Sequence, residues 1–136
     1  HFINVFGEEV IIENSDNAIK NLCKTQNLEV IEYTVAPVYM DGKKKGRHQW
    51  LIEFKKSSPN MQEISSLIDA LLKSENSDYE AKRYNNISLE KPEIILGKKG
   101  VFYKWMKKRN KLGGQNKIPR LSNSREYIEE LLKLNT

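Results

Sequence analysis

The stretch Gly113-Gly114-Gln115-Asn116-Lys117-Ile118-Pro119-Arg120 holds the residues best suited to chemistry in this chain. Glycine admits backbone conformations that other residues resist, so a glycine pair lets a loop approach a ligand closely. The amides of Gln115 and Asn116 can hydrogen-bond a phosphate or a ribose. Pro119 stiffens the exit of the loop. A lysine held this way can neutralise charge developing on a phosphoryl or carboxylate oxygen, which is electrostatic stabilisation of a transition state. Glycine-rich surface loops often contain a lysine, so the residue types alone leave a plain solvated loop open.

No other stretch offers a better catalytic group. His1 is terminal, and His48 is expected on the surface of a hairpin. No Cys/His cluster has zinc-ligand spacing, no phosphate-cradling Walker loop is present, and no metal site is expected. Glu8 and Glu9 are adjacent carboxylates, but neighbouring strand residues point to opposite faces, which argues against a shared two-carboxylate site. Cys23 lies on an apolar helical stripe and is expected in the core, where burial keeps a thiol protonated.

The elements that position the loop follow from periodicity. Residues 2–6 and 9–12 are short apolar runs around Gly7-Glu8 and predict a small hairpin. Ser15 or Asp16 can cap a helix running to Gln26, with Ala18, Ile19, Leu22 and Cys23 on one face. Leu28 to Met40 reads as a long strand that Pro37 confines to an edge or a bulge. A turn over 41–46 leads to a second strand, with Trp50, Ile52 and Phe54 on one face and Leu51, Glu53 and Lys55 on the other. Pro59-Asn60 opens an amphipathic helix, Ser77 starts another that Asn85-Asn86 ends, and Glu93–Leu96 is a short strand. A helix from Val101 to Leu112 carries Phe102, Trp105, Met106 and Arg109 on one face. The final helix has a capping-box-like start in Asn123 and Glu126. The fold class is therefore α+β: a mixed or antiparallel sheet with a βαββαβ-like core, compatible with a ferredoxin-like split arrangement, flanked by helices, preceded by a small hairpin and ending in a helix.

Composition bounds the class. A chain of 136 residues predicts one domain with one core, spanning 1–136. No run approaches the ~18 apolar residues of a membrane span, so a soluble protein is expected. The single Cys23 cannot form an internal disulfide, which fits a reducing compartment and predicts a cytoplasmic location. The chain begins at His1 and opens directly on an apolar run, which reads as a chain cut from something longer; a processed N-terminus is the plainer alternative. The net charge is +5, and Lys98, Lys99, Lys104, Lys107, Lys108, Arg109, Lys111, Lys117 and Arg120 follow one another with no acid among them. Such a block suits an anionic partner (nucleic acid, phosphate or an acidic surface) or a solvated helix face.

Three stretches taken in order carry a resemblance: Ile3-Asn4-Val5-Phe6-Gly7-Glu8-Glu9, then Ser77-Asp78-Tyr79-Glu80-Ala81-Lys82-Arg83, then Gly113 to Arg120. Together they make nearly the whole chain resemble the C-terminal domain of bacterial relatives of the plant auxin-responsive acyl acid-amido synthetases. That family belongs to the adenylate-forming enzymes. The resemblance implies activation of a carboxylic acid with ATP and Mg²⁺, release of pyrophosphate, and attack by an amine, usually of an amino acid, to give an amide and AMP. It implies that an N-terminal adenylation domain holds most of the ATP and acid site, and that this small domain swings over it. Lys117 is then the catalytic lysine that reaches the α-phosphate and acyl carboxylate. Gly113 and Gly114 let the loop enter, and Gln115, Asn116 and Arg120 position the nucleotide or the loop. The fragment alone is expected to be inactive. In one place the chain departs from the family: plant members carry a nucleotide-linked lysine shortly after the first strand, where this chain has Val10 or a neighbour. The alternative reading is a nucleic-acid-binding or protein-interaction module that uses the basic segment 98–120.

Overall fold

A long antiparallel hairpin forms the frame of the computed structural model, which describes residues 1–42, 44–56, 59–111 and 117–136. Its strands, β3 (Val30–Met40) and β4 (Lys45–Phe54), pair from Val30 opposite Phe54 to Met40 opposite Lys45. Both are rich in β-branched and aromatic residues, as a pleated surface packed on both faces favours. The turn is shorter than the sequence suggests. Asp41 and Gly42 take φ of 50° and 60°, and Lys45 and Gly46 already belong to β4. Strand pairing extends that far because residues 88–90 run beside it: Gly46 N donates to Ser88 O at 3.1 Å, and Glu90 N donates to Gly46 O at 2.8 Å. Lys45 pairs with Glu90 at 2.9 Å, so it is not a free tip lysine.

β5 (Glu93–Leu96) lies parallel to β4, and the sheet order is β3-β4-β5. The crossover is α2 (Met61–Glu75), capped by Asn60, whose Oδ1 accepts Gln62 N and Glu63 N. The short helix α3 (Ser77–Lys82) follows, capped by Asn76, and then a 3₁₀ turn with Asn85 and Asn86 at positive φ, which asparagine tolerates. The α+β class and the strand–helix order are those predicted. The split arrangement is not formed, because β4 and β5 are direct neighbours. The first hairpin, β1 (Phe2–Ile3) and β2 (Val10–Ile11), makes its own two-stranded sheet instead.

Two helix starts differ from the sequence expectation. α1 (Ile12–Gln26) begins before Ser15, because Asn14 Oδ1 accepts Ile11 N at 3.1 Å and satisfies the first turn. Ser15 and Asp16 are thereby turned towards β3. The last helix, α5 (Glu126–Leu134), has no Asn123 capping box. The Asn123 oxygen accepts Asn4 N at 2.9 Å, and Ser124 Oγ accepts Glu126 N at 3.1 Å in its place. α4 (Val101–Lys111) completes the set.

The sheet separates two cores. Tyr33, Val35, Trp50 and Ile52 face α1 and α2, packing with Leu22, Ile68, Leu72 and Tyr79. Ala36 and Leu51 face α4 and α5, packing with Phe102, Trp105, Ile128 and Leu131. The alternation of Trp50, Leu51 and Ile52 thus serves both faces. Cys23 is half-buried on the α1 stripe, and burial pushes its thiol pKa up, away from reactivity. Among the described residues no helix is long and apolar enough to cross a membrane.

Gly46 sits where backbone and hairpin meet. A Cβ there would lie 2.4 Å from Val38 O and 2.5 Å from Phe6 Cζ. Gly46→Ala should therefore destabilise the domain by about 1–3 kcal/mol through overpacking. A urea midpoint unchanged from that of the parent would contradict this close approach.

Candidate functional site

The base of the Lys117 loop is anchored residue by residue. Ile118 is buried in the core beneath α4 and α5. Pro119 O accepts Thr34 Oγ1 at 2.8 Å. Arg120 O accepts Val35 N at 2.8 Å, and Ser122 N donates to Val35 O at 3.2 Å, so this segment adds one parallel bridge to the free edge of β3. Leu121 is buried in the opposite core. Lys117 itself is exposed. It stands just before four consecutive residues held by packing or backbone bonds. Gly113, Gly114, Gln115 and Asn116 lie outside the described residues.

Lys117 borders an open depression of ≈ 480 Å³, lined also by Ile12, Glu32, Met106, Ile118 and Arg120. Arg120 is only partly available to a ligand. Its Nε donates to Glu32 Oε1 at 2.8 Å and its Nη1 to Asp16 Oδ1 at 3.1 Å, while the guanidinium lies 5.2 Å from the Tyr33 ring centre. The sequence gives no local sign of these partners, which lie 88 and 104 residues away along the chain. A larger hollow, ≈ 560 Å³, lies around Arg47, Glu90 and Glu93, but its charges satisfy one another: Arg47 Nε pairs with Glu93 at 2.9 Å. Among the described residues no cluster of three or more His, Cys, Asp or Glu could hold a metal ion.

His48 is not on the surface. It is 1% exposed, and its Nε2 lies 2.8 Å from Glu8 Oε2. The first hairpin folds over this end of β4 and buries both. Glu8 also accepts Val5 N at 3.1 Å and Phe6 N at 2.6 Å, so the carboxylate organises the hairpin turn as well. Burial works to raise the Glu8 carboxyl, but the hydrogen bond and charge of His48 outweigh it and hold the pKa below its ordinary value. A depressed folded pKa adds stability that is complete above the unfolded Glu pKa and is lost as pH falls through the folded one. Stability should therefore drop on acidification below about pH 4.3. Glu8→Gln should flatten part of that slope in urea melts taken from pH 7 to 3. An identical slope in the variant would remove Glu8 from the account. Val10, at or beside the position where the resemblance implies a lysine, is 1% exposed and packed in the core.

Further positive charge of the basic block lies on α4. Lys104, Lys107 and Lys108 are exposed beside Tyr103, and Lys107 Nζ lies 5.5 Å from the Tyr103 ring centre. Arg109 is different, held between the Trp105 and Tyr127 rings and 3.6 Å from Glu130.

Residues 13–126 match the GH3 family C-terminal domain. The chain belongs to this family. Two solved structures share the fold: a GH3.15 acyl acid amido synthetase, 20% identical with a TM-score of 0.75, and AtGH3.15 acyl acid amido synthetase in complex with 2,4-DB, 18% identical with a TM-score of 0.76. In both cases 98% of this chain is covered, and it spans 25% of the longer chain. At such identity the likeness is one of fold. No curated protein sequence matches.

Within this GH3 C-terminal domain, two of the three stretches that carry the resemblance prove to be structural. Glu8 of the first is the buried partner of His48. Tyr79 and Arg83 of the second converge on Asp69: Tyr79 Oη donates at 2.7 Å, and Arg83 donates from Nε at 2.7 Å and from Nη2 at 2.9 Å. The third leaves Lys117 exposed beside a depression.

Proposed function

We propose that this domain is the mobile lid of an ATP-dependent acyl acid-amido synthetase, and that Lys117 is its catalytic residue. The observation that carries the reading is the placement of Lys117: an exposed lysine at the mouth of a depression, on a segment anchored immediately behind it. Membership of the GH3 family and the fold shared with acyl acid amido synthetases support it.

In this reading an N-terminal adenylation domain of a longer chain binds ATP, the carboxylic acid and the amine. The carboxylate attacks the α-phosphorus, pyrophosphate departs, and the amine then displaces AMP. Lys117 reaches across and neutralises the charge that builds on the phosphoryl and carboxylate oxygens. A fixed cation is worth more in a closed, drier site than in water. Mg²⁺, when bound, neutralises phosphate charge. Most of its ligands are assigned to the other domain, as the resemblance implies. Gly113, Gly114, Gln115 and Asn116 admit and orient the loop, and the protein acts in the cytoplasm. The test is carboxylate-dependent ATP–pyrophosphate exchange by the full-length protein. Exchange by the full chain and none by residues 1–136 alone is expected. Exchange independent of any added carboxylic acid would overturn the reading.

One observation favours a second reading, a nucleic-acid interface: Tyr103 is 64% exposed among the lysines of α4 and free to stack on a base. Binding would then weaken steeply with salt by counterion release. Phe102 and Trp105 are buried and take no part. Absence of any oligonucleotide shift at low salt would remove this reading.

A further inference from the structure

We propose that Asp16, Glu32 and Arg120 form a clamp that sets where Lys117 stands, which makes Arg120 a positioning residue rather than a phosphate ligand. The inference rests on the catalytic assignment of Lys117 above. Arg120 joins three elements that are far apart in sequence: its own segment, α1 through Asp16, and β3 through Glu32. Asp16 is itself fixed, because Tyr33 Oη donates to it while lying 2.8 Å from Ser15 Oγ. The guanidinium lies over the ring of that same Tyr33. The backbone of Arg120 is meanwhile bonded to Val35. The residue is thus held from both ends, three positions after Lys117.

Charge argues in the same direction. Two carboxylates surround one guanidinium, so the cluster is net negative and does not attract a phosphate. Lys117, on the depression that Glu32 and Arg120 also line, is an exposed cation that can do so. The ion pairs are half-exposed, with Arg120 41% and Asp16 42% accessible. Pairs of this kind add little to stability. Their effect is to restrict geometry. A misplacement of about 1 Å away from the chemistry can cost ~10²-fold in rate.

The experiment compares Asp16→Asn/Glu32→Gln, Arg120→Gln and Lys117→Ala in the full-length protein. The double variant keeps the shapes and removes the charges; Arg120→Gln breaks the clamp from its other side. We expect both clamp variants to lower kcat for ATP–pyrophosphate exchange by ~10-fold to ~10²-fold. KM for ATP should change little, and the melting temperature should stay close to that of the parent. Mass spectrometry should show trypsin cutting the Lys117–Ile118 bond several-fold faster, a change that a lost phosphate ligand would not produce. Parental kcat and parental cleavage in both variants, with Lys117→Ala still impaired, would overturn the clamp and leave the function standing. A rise in KM for ATP with kcat unchanged would assign Arg120 to nucleotide binding and overturn the clamp. Parental exchange in Lys117→Ala would overturn both.

Discussion

Asp69→Ala should destabilise this domain by about 3–5 kcal/mol, because it strands a buried arginine. Asp69 is 4% exposed and Arg83 6%. The carboxylate accepts from Nε and Nη2 of Arg83 and from the Tyr79 hydroxyl, with Lys73 Nζ 3.4 Å away. Burial works to raise the Asp69 carboxyl, yet Arg83 and Tyr79 outweigh it and hold the pKa below its ordinary value. Without Asp69, the Arg83 guanidinium retains the uncharged acceptors Asn86 Oδ1 and Leu89 O, both on Nη1. A charge that cannot be neutralised then stays in a site built for a pair. A domain of this size has about 5–15 kcal/mol of stability in total, so the loss is a large share. Asp69→Asn keeps hydrogen-bonding atoms and should cost less. Equilibrium urea unfolding measures both. A loss below about 1 kcal/mol for Asp69→Ala would show the network to be ornamental.

The second large effect concerns the lysine, and the fold explains why one side chain can matter. Residues 118–121 are tied to the two cores and to the edge of β3, and the Arg120 ion pairs add a further restraint on the backbone behind Lys117. An exposed lysine on an anchored base can be presented to a partner surface without prior ordering. Preorganised charge of this kind typically contributes 10²- to 10³-fold to rate. Lys117→Arg keeps the charge but replaces a compact ammonium with a planar fork, and should restore only part of the activity.

The local part of this architecture was legible in the sequence. The periodicity of Phe102 and Trp105, the cap at Asn60 and the bounds of Glu93–Leu96 each follow from residues within one turn or one strand. Pro37 sits on edge strand β3, as its missing N–H requires. What the sequence concealed is long-range polar pairing. His48 reads as a surface residue until Glu8, 40 residues earlier, is folded onto it. Arg120 reads as one more cation of a basic block until Asp16 and Glu32 are placed beside it. Asn123 looks like a helix cap until its oxygen is taken by Asn4. In each case a distant partner overrode the local signal. The same holds for the split sheet: nothing in the strand spacing excludes an intervening strand between β4 and β5.

The most direct test of the account is carboxylate-dependent ATP–pyrophosphate exchange by the full-length protein with Lys117 replaced by alanine. The account predicts a fall of ~10²- to ~10³-fold with the fold intact, as shown by an unchanged melting temperature. Exchange at the parental rate in a properly folded Lys117→Ala protein would contradict it.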